Sequence, residues 1–190
     1  MKVLATPTLI CLMAGLLSSS HAQMANVASM EKKLQHVTSN GKLAHPEPSP
    51  TEFTDQEINS YFAAGRVRLP AGVQSVTFQA QPGMAVASAK VDFDQIKSGR
   101  NASNPLLAMF SGVHTVVVVA HAHGEDGEGM VHVDSVVLDD TEIPPLILQL
   151  FVQKFLRPKY PDIGIDSKFT LPDRVDTAII SSQKLTLTQK

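Results

Sequence analysis

Residues 146–156 carry Leu146, Ile147, Leu148, Leu150, Phe151, Val152, Phe155 and Leu156, and leave Gln149, Gln153 and Arg157 as one narrow i, i+4 stripe. A helix this apolar around its circumference has to be covered by protein or by something like a membrane. Its eleven or so residues fall short of the ~20 that span a bilayer. Pro145 is well placed to start it, because first-turn N–H groups have no intrahelical partner. Any fold open to this chain must therefore lay a broad apolar surface over one short helix.

The flanking pattern supplies such a surface as strands. Residues 73–79 and 84–93 surround Gln81-Pro82-Gly83, where Pro then Gly suits the centre of a type II turn. Closing the hairpin at Gln81 and Met84 sets Ala80, Phe78 and Val76 against Ala85, Ala87 and Ala89, with Ser75, Thr77, Gln79, Ser88 and Lys90 on the other face. One apolar face is what a half-exposed antiparallel sheet requires. A second hairpin spans 113–123 and 130–138, its turn expected over the Gly- and acid-rich residues 124–129. Residues 115–120 are apolar on both faces, which predicts a central strand covered on both sides over part of its length. A closing hairpin is expected over 175–181 and 185–189.

A helix start precedes the sheet. Thr54 stands as N-cap with Glu57 as its capping-box partner, while Phe53 and Ile58 are spaced for a hydrophobic staple. That helix should stop at Gly65. Further upstream, Val27, Met30 and Leu34 fall at near-helical spacing in a segment ending near Asn40-Gly41, and residues 45–50 alternate proline with polar residues as in a semi-rigid connector.

The first residues read Met1-Lys2, an apolar run over 9–17, then small residues up to Ala22, the order of a secretory signal peptide. Cleavage near Ala22 would remove Cys11, the one cysteine, and leave a periplasmic or secreted chain without disulfides, thiolate metal sites or a cysteine nucleophile. The expected organisation is a signal peptide over 1–22, an N-terminal segment and Pro-rich linker over 23–50, and a single α+β domain over 51–190. Net charge is −2 with no Lys/Arg cluster, and there is no Trp, which argues against nucleic acid and against an aromatic stacking platform.

Enzyme signatures are absent: no Gly-x-Ser-x-Gly, no phosphate-binding Gly-rich loop, no His-Glu-x-x-His. No covalent catalysis and no cofactor are implied. Asp92 and Asp94 read as solvated charges at a strand end, and Asn101-Ala102-Ser103 is formally a glycosylation acceptor. If the second hairpin closes at Gly124 and Gly129, His121 lies opposite His132 on the face of His123, a weaker alternative of a zinc or copper site.

The exported start, the Thr54-Asp55-Gln56-Glu57-Ile58-Asn59-Ser60-Tyr61 helix, the Leu69-Pro70-Ala71-Gly72-Val73 entry into long strands and the late apolar helix resemble bacterial envelope proteins of the tubular lipid-binding (TULIP-like) type. The resemblance spans roughly residues 51–189 and is one of order and texture. It implies a strongly curved antiparallel β-sheet wrapped around an apolar α-helix, with an additional N-terminal helix. It also implies an apolar groove lined by Val76, Phe78, Ala85, Ala87, Ala89, Val116 and Val118 of the sheet and by Leu148, Phe151, Val152 and Phe155 of the helix. The expected partner is a lipid or other apolar small molecule, with peripheral membrane contact; the alternative is a structural or adaptor module of the cell envelope with a closed core.

Overall fold

The structure is a computed structural model describing residues 10–97 and 110–190, with side chains from residue 21 onward. The Asn101-Ala102-Ser103 acceptor and the first nine residues of the expected leader lie outside the described residues.

The fold is α+β, built on one antiparallel nine-stranded open sheet. Its spine is the hairpin of β4 (Val113–Glu125) and β5 (Glu128–Leu138). These strands run further than the sequence pattern indicates: Glu125 pairs with Glu128, and the turn is Asp126-Gly127 alone, with φ of 52° and 76°. Two successive positive φ values are the geometry that Asp-Gly favours, and they match the twist of the flanking strands. Only the turn itself needed those two residues, so the glycines at 124 and 129 are left to serve close approach. A Cβ at Gly124 would sit 2.8 Å from Ala178, and one at Gly129 2.6 Å from the Phe169 ring.

Two half-sheets share this spine. β2 (Val73–Gln81) and β3 (Met84–Asp92) form the first hairpin in the expected register, Ala80 opposite Ala85, Phe78 opposite Ala87 and Val76 opposite Ala89. β3 lies along β4 from Val113 to His121. Where β3 ends, β8 (Val175–Ser181) takes over the same edge, pairing Ile179 with His123 and Ala178 with Gly124. β9 (Lys184–Gln189) closes the expected last hairpin, and β1 (Thr51–Thr54) is added outside it. The other edge of β5 carries the two-residue β6 (Thr141–Glu142) and β7 (Asp166–Thr170).

Helices cover one face of the sheet. α1 (Ile10–Asn40) passes without a break through the expected cleavage point and packs Met30, Leu34 and Val37 against Phe53, Val175, Leu185 and Leu187. α2 (Asp55–Ala63) begins with the expected capping box: Thr54 accepts from the Glu57 N–H at 3.2 Å, and Glu57 accepts from the Thr54 N–H at 2.8 Å. Ile58 joins Phe53 in the same cluster, as a staple should. A five-residue helix, α3 (Phe93–Lys97), turns the chain away from β3. α4 (Pro145–Phe151) continues into a π turn, Val152–Leu156, where the Arg157 N–H reaches back five residues to the Val152 carbonyl at 2.9 Å. The wider turn directs Phe151, Val152 and Phe155 to the sheet together, and all three are buried.

Both hydrophobic clusters lie on the face of Val116 and Val118. Val117 and Val119, expected to be covered like their neighbours, point to the other face and are half-buried there, next to Ser88 and Val86 of β3. Residues 45–50, expected to be a semi-rigid linker, are held to the end of α1: the Asn40 carboxamide donates to the Glu47 carbonyl at 2.9 Å and accepts from the Glu47 N–H at 2.8 Å.

Candidate apolar binding site

The register puts the expected sheet lining on one continuous face, because Ala89, Ala87 and Ala85 of β3 stand opposite Val116, Val118 and Ala120 of β4. Three apolar recesses open along it, separated by the helices. The first lies between α4 and the sheet, with a volume of about 190 Å3. Val116, Val118, Leu148, Phe151 and Val152 line it, together with Val133, Val136, Leu156 and Ile163. The second, about 300 Å3, lies where α1 and α2 meet the sheet and contains Phe78 and Ala85 with Met30, Ile58, Phe62, Ile180 and Leu185. The third, about 240 Å3, lies beside it over Ala122, Val131, Phe169, Leu171 and Ala178.

The residues expected to share one groove are thus divided. Phe155 is fully enclosed at 0% exposure, its ring 5.2 Å from that of Phe151, and it belongs to the core. Ala89 packs against that core, while Val76 and Ala87 sit on the face but border neither of the first two recesses. Leu146, at the start of α4, is 65% exposed, so the helix is covered only along its sheet-facing side.

Sequence reasoning missed the walls made by α1 and by the closing hairpin. Met30 falls on a helical stripe, and Ile180 and Leu185 in a strand pair, but nothing local joins these elements. The structure joins them at the second recess, and α1 is held to α2 there by Glu57, 6% exposed, whose carboxylate accepts from Lys33 at 2.6 and 2.7 Å and from the Ser29 hydroxyl at 2.6 Å. Burial alone would raise this carboxyl. The hydrogen bonds from Lys33, Ser29 and the Thr54 backbone, with the Lys33 charge, outweigh it and hold the pKa at about 2.

On the opposite face His121 does stand across from His132. Each ring is engaged by a carboxylate, His121 Nδ1 by Asp134 at 2.8 Å and His132 Nδ1 by Asp166 at 2.6 Å. His132 is raised above its ordinary pKa, mainly by that hydrogen bond to Asp166, and His114 by its bond to Asp139. Among the described residues no group of three or more His, Cys, Asp or Glu side chains is arranged to hold a metal ion. Nor is any described helix long and apolar enough to cross a membrane.

Comparison with protein-family models, with curated proteins and with solved structures finds no match to this chain.

Proposed function

We propose that the chain is an exported carrier or sensor that holds a lipid or other apolar molecule against the helix-covered face of its sheet, without covalent catalysis. Curvature of the sheet about α4, in the manner of tubular lipid-binding domains, belongs to this reading. The observation that supports it is the recess between α4 and the sheet, whose walls are almost entirely apolar and include half-buried Leu148. Water in such a place gains few hydrogen bonds, and burying an alkyl chain there gains about 25 cal/mol per Å2 of apolar area. The recesses lie at or below the small end of the roughly 300–1,000 Å3 typical of ligand pockets, a size suited to a slender chain more than to a ring system.

Export is compatible with how α1 is used. Residues 21–25 are exposed, while Asn26 donates to Ser60 at 3.4 Å and Val27 is buried. Cleavage after Ala22 would leave these contacts in place. Exposed Tyr160 and Ile163, near Lys159 and Arg157 in the chain, suit the expected peripheral contact with a membrane surface.

Native mass spectrometry of the full chain, purified without detergent, tests the reading. The expected result is a protein peak with a lipid adduct, lost in Val118→Phe, which fills the recess. An empty protein, before and after incubation with phospholipid vesicles, would favour the closed adaptor module, and a zinc or copper adduct would favour the histidine face.

A further inference from the structure

A charged side chain lies next to Gly164, which lines the recess between α4 and the sheet. Arg157 leaves the π turn so that its Nη2 lies 3.4 Å from where a Cβ on Gly164 would project, and Ile163, Gly164 and Ile165 form that edge of the recess. At that distance the guanidinium would be in ordinary contact with such a Cβ. Such a Cβ would also stand 2.9 Å from the Asp166 carbonyl oxygen.

Among the described residues the Arg157 guanidinium has no ion pair and no side-chain hydrogen bond. Two charged groups nearby are otherwise engaged: the carboxylate of Asp166, whose backbone meets Gly164, is held by His132 at 2.6 Å, and the ammonium of Lys159, two residues on, donates to the Ile96 carbonyl at 3.3 Å. A guanidinium offers a planar fork of N–H donors that fits a carboxylate in two parallel bonds. Beside it the recess supplies walls for an alkyl chain and no polar group deep inside to receive a second head.

We propose that Arg157 is the head-group contact of this recess and that its ligand is a single acyl chain ending in a carboxylate, a fatty acid. The chain runs between Leu148 and Val152 on one side and Val116 and Val118 on the other, with the carboxylate at the rim on Arg157. This assignment rests on the reading of the recess as a lipid site.

Displacement of the neutral dye phenylnaphthylamine from the full-length protein by oleate and by oleyl alcohol tests it, since the two share one chain and differ in head charge. Oleate should displace the dye at roughly fivefold lower concentration than the alcohol, the size of a solvent-exposed ion pair. In Arg157→Gln that ratio should fall to about one, with Arg157→Lys intermediate, and an unchanged melting temperature shows that the variants are folded. An acid-to-alcohol ratio near one in the unmodified protein, or one that survives Arg157→Gln, overturns the head-group assignment and leaves chain binding standing. If neither amphiphile displaces the dye, or Val118→Phe still binds both, the lipid reading of the recess falls and the assignment falls with it.

Discussion

The side chain of Asn59 on α2 stands in for a missing strand beside Phe78: its carboxamide accepts the Phe78 N–H at 2.7 Å and donates to the Phe78 carbonyl at 2.8 Å. Two residues on, the Asp55 carboxylate accepts the Ala80 N–H at 3.0 Å, and the Gln183 N–H donates to the Ala80 carbonyl at 2.9 Å. β2 is the outer strand of its half-sheet, and an open edge invites pairing with another chain. The same helix that walls the second recess therefore also closes the edge next to it. Asn59→Ala should cost about 1–3 kcal/mol in urea unfolding, since it strands a donor and an acceptor that are only partly open to water. Size-exclusion chromatography should show self-association of this variant at concentrations where the unmodified chain is monodisperse. Asn59→Asp, which keeps the acceptor and loses the donor, should fall between.

Glu57 links α2 to α1, and its carboxyl titrates at about 2 against an ordinary value of 4.5. A depressed folded pKa contributes stability that is complete above about pH 4.5 and is lost as pH falls toward about 2. Screening at the partly exposed Lys33 limits this to about 2 kcal/mol. Urea midpoints measured from pH 6 down to pH 2.5 should decline in the unmodified chain and decline less in Glu57→Gln, which starts from a lower value. Lys33→Ala should behave like Glu57→Gln. Equal slopes in all three would show that the Lys33–Glu57 contact does not hold α1 in solution.

The pair His132 and Asp166 ties β5 to the edge strand β7, with the opposite sign. A raised histidine pKa contributes stability that is complete below the unfolded value of about 6.5 and disappears as pH rises through the folded value. The His132 ring signal in NMR should titrate above that of an unstructured histidine, and Asp166→Asn should bring it down. Amide exchange in β7, corrected for intrinsic rates, should show less protection at pH 8.5 than at pH 5.5. The same titration should place His114 high, with its partner Asp139 held below the usual carboxylate range by the His114 contact and the Thr115 N–H.

Those elements whose determinants are local were legible in the sequence. Pro82-Gly83 set the register of β2 and β3, Thr54 and Glu57 marked the start of α2, and alternation in the last fifteen residues gave the closing hairpin. Elements whose determinants lie elsewhere were not. β6 and β7 are short edge strands with no apolar alternation of their own, and they exist because β5 offers an unpaired edge. The exchange of partners on β4, from Met84 at His121 to Ile179 at His123, depends on where two distant hairpins end. That exchange divides the expected groove, since it brings α1 and α2 over Phe78 and Ala85 while α4 stays over Val116 and Val118. The partner of α1 was invisible for the same reason: Met30 and Leu34 announce a helix face, but only the fold sets Phe53 and Leu187 beneath it.

Leu148 and Phe155 share one helical run, yet the structure gives them different standing, and their truncations should separate core from recess. Phe155 is fully enclosed within a ring cluster in which Phe110 and Phe151 lie 4.3 Å apart and Phe93 meets Phe151 edge-on at 5.5 Å. Removing it leaves a closed void, and Phe155→Ala should cost about 3–5 kcal/mol. Leu148 borders a space that is already open, so its loss widens a recess and creates little new cavity. Leu148→Ala should stay near the lower end of the leucine range, about 2 kcal/mol. Urea unfolding of the two variants, side by side, checks the order. Matching costs would mean that the space beside α4 is filled in solution, and with that the room for an acyl chain would be gone.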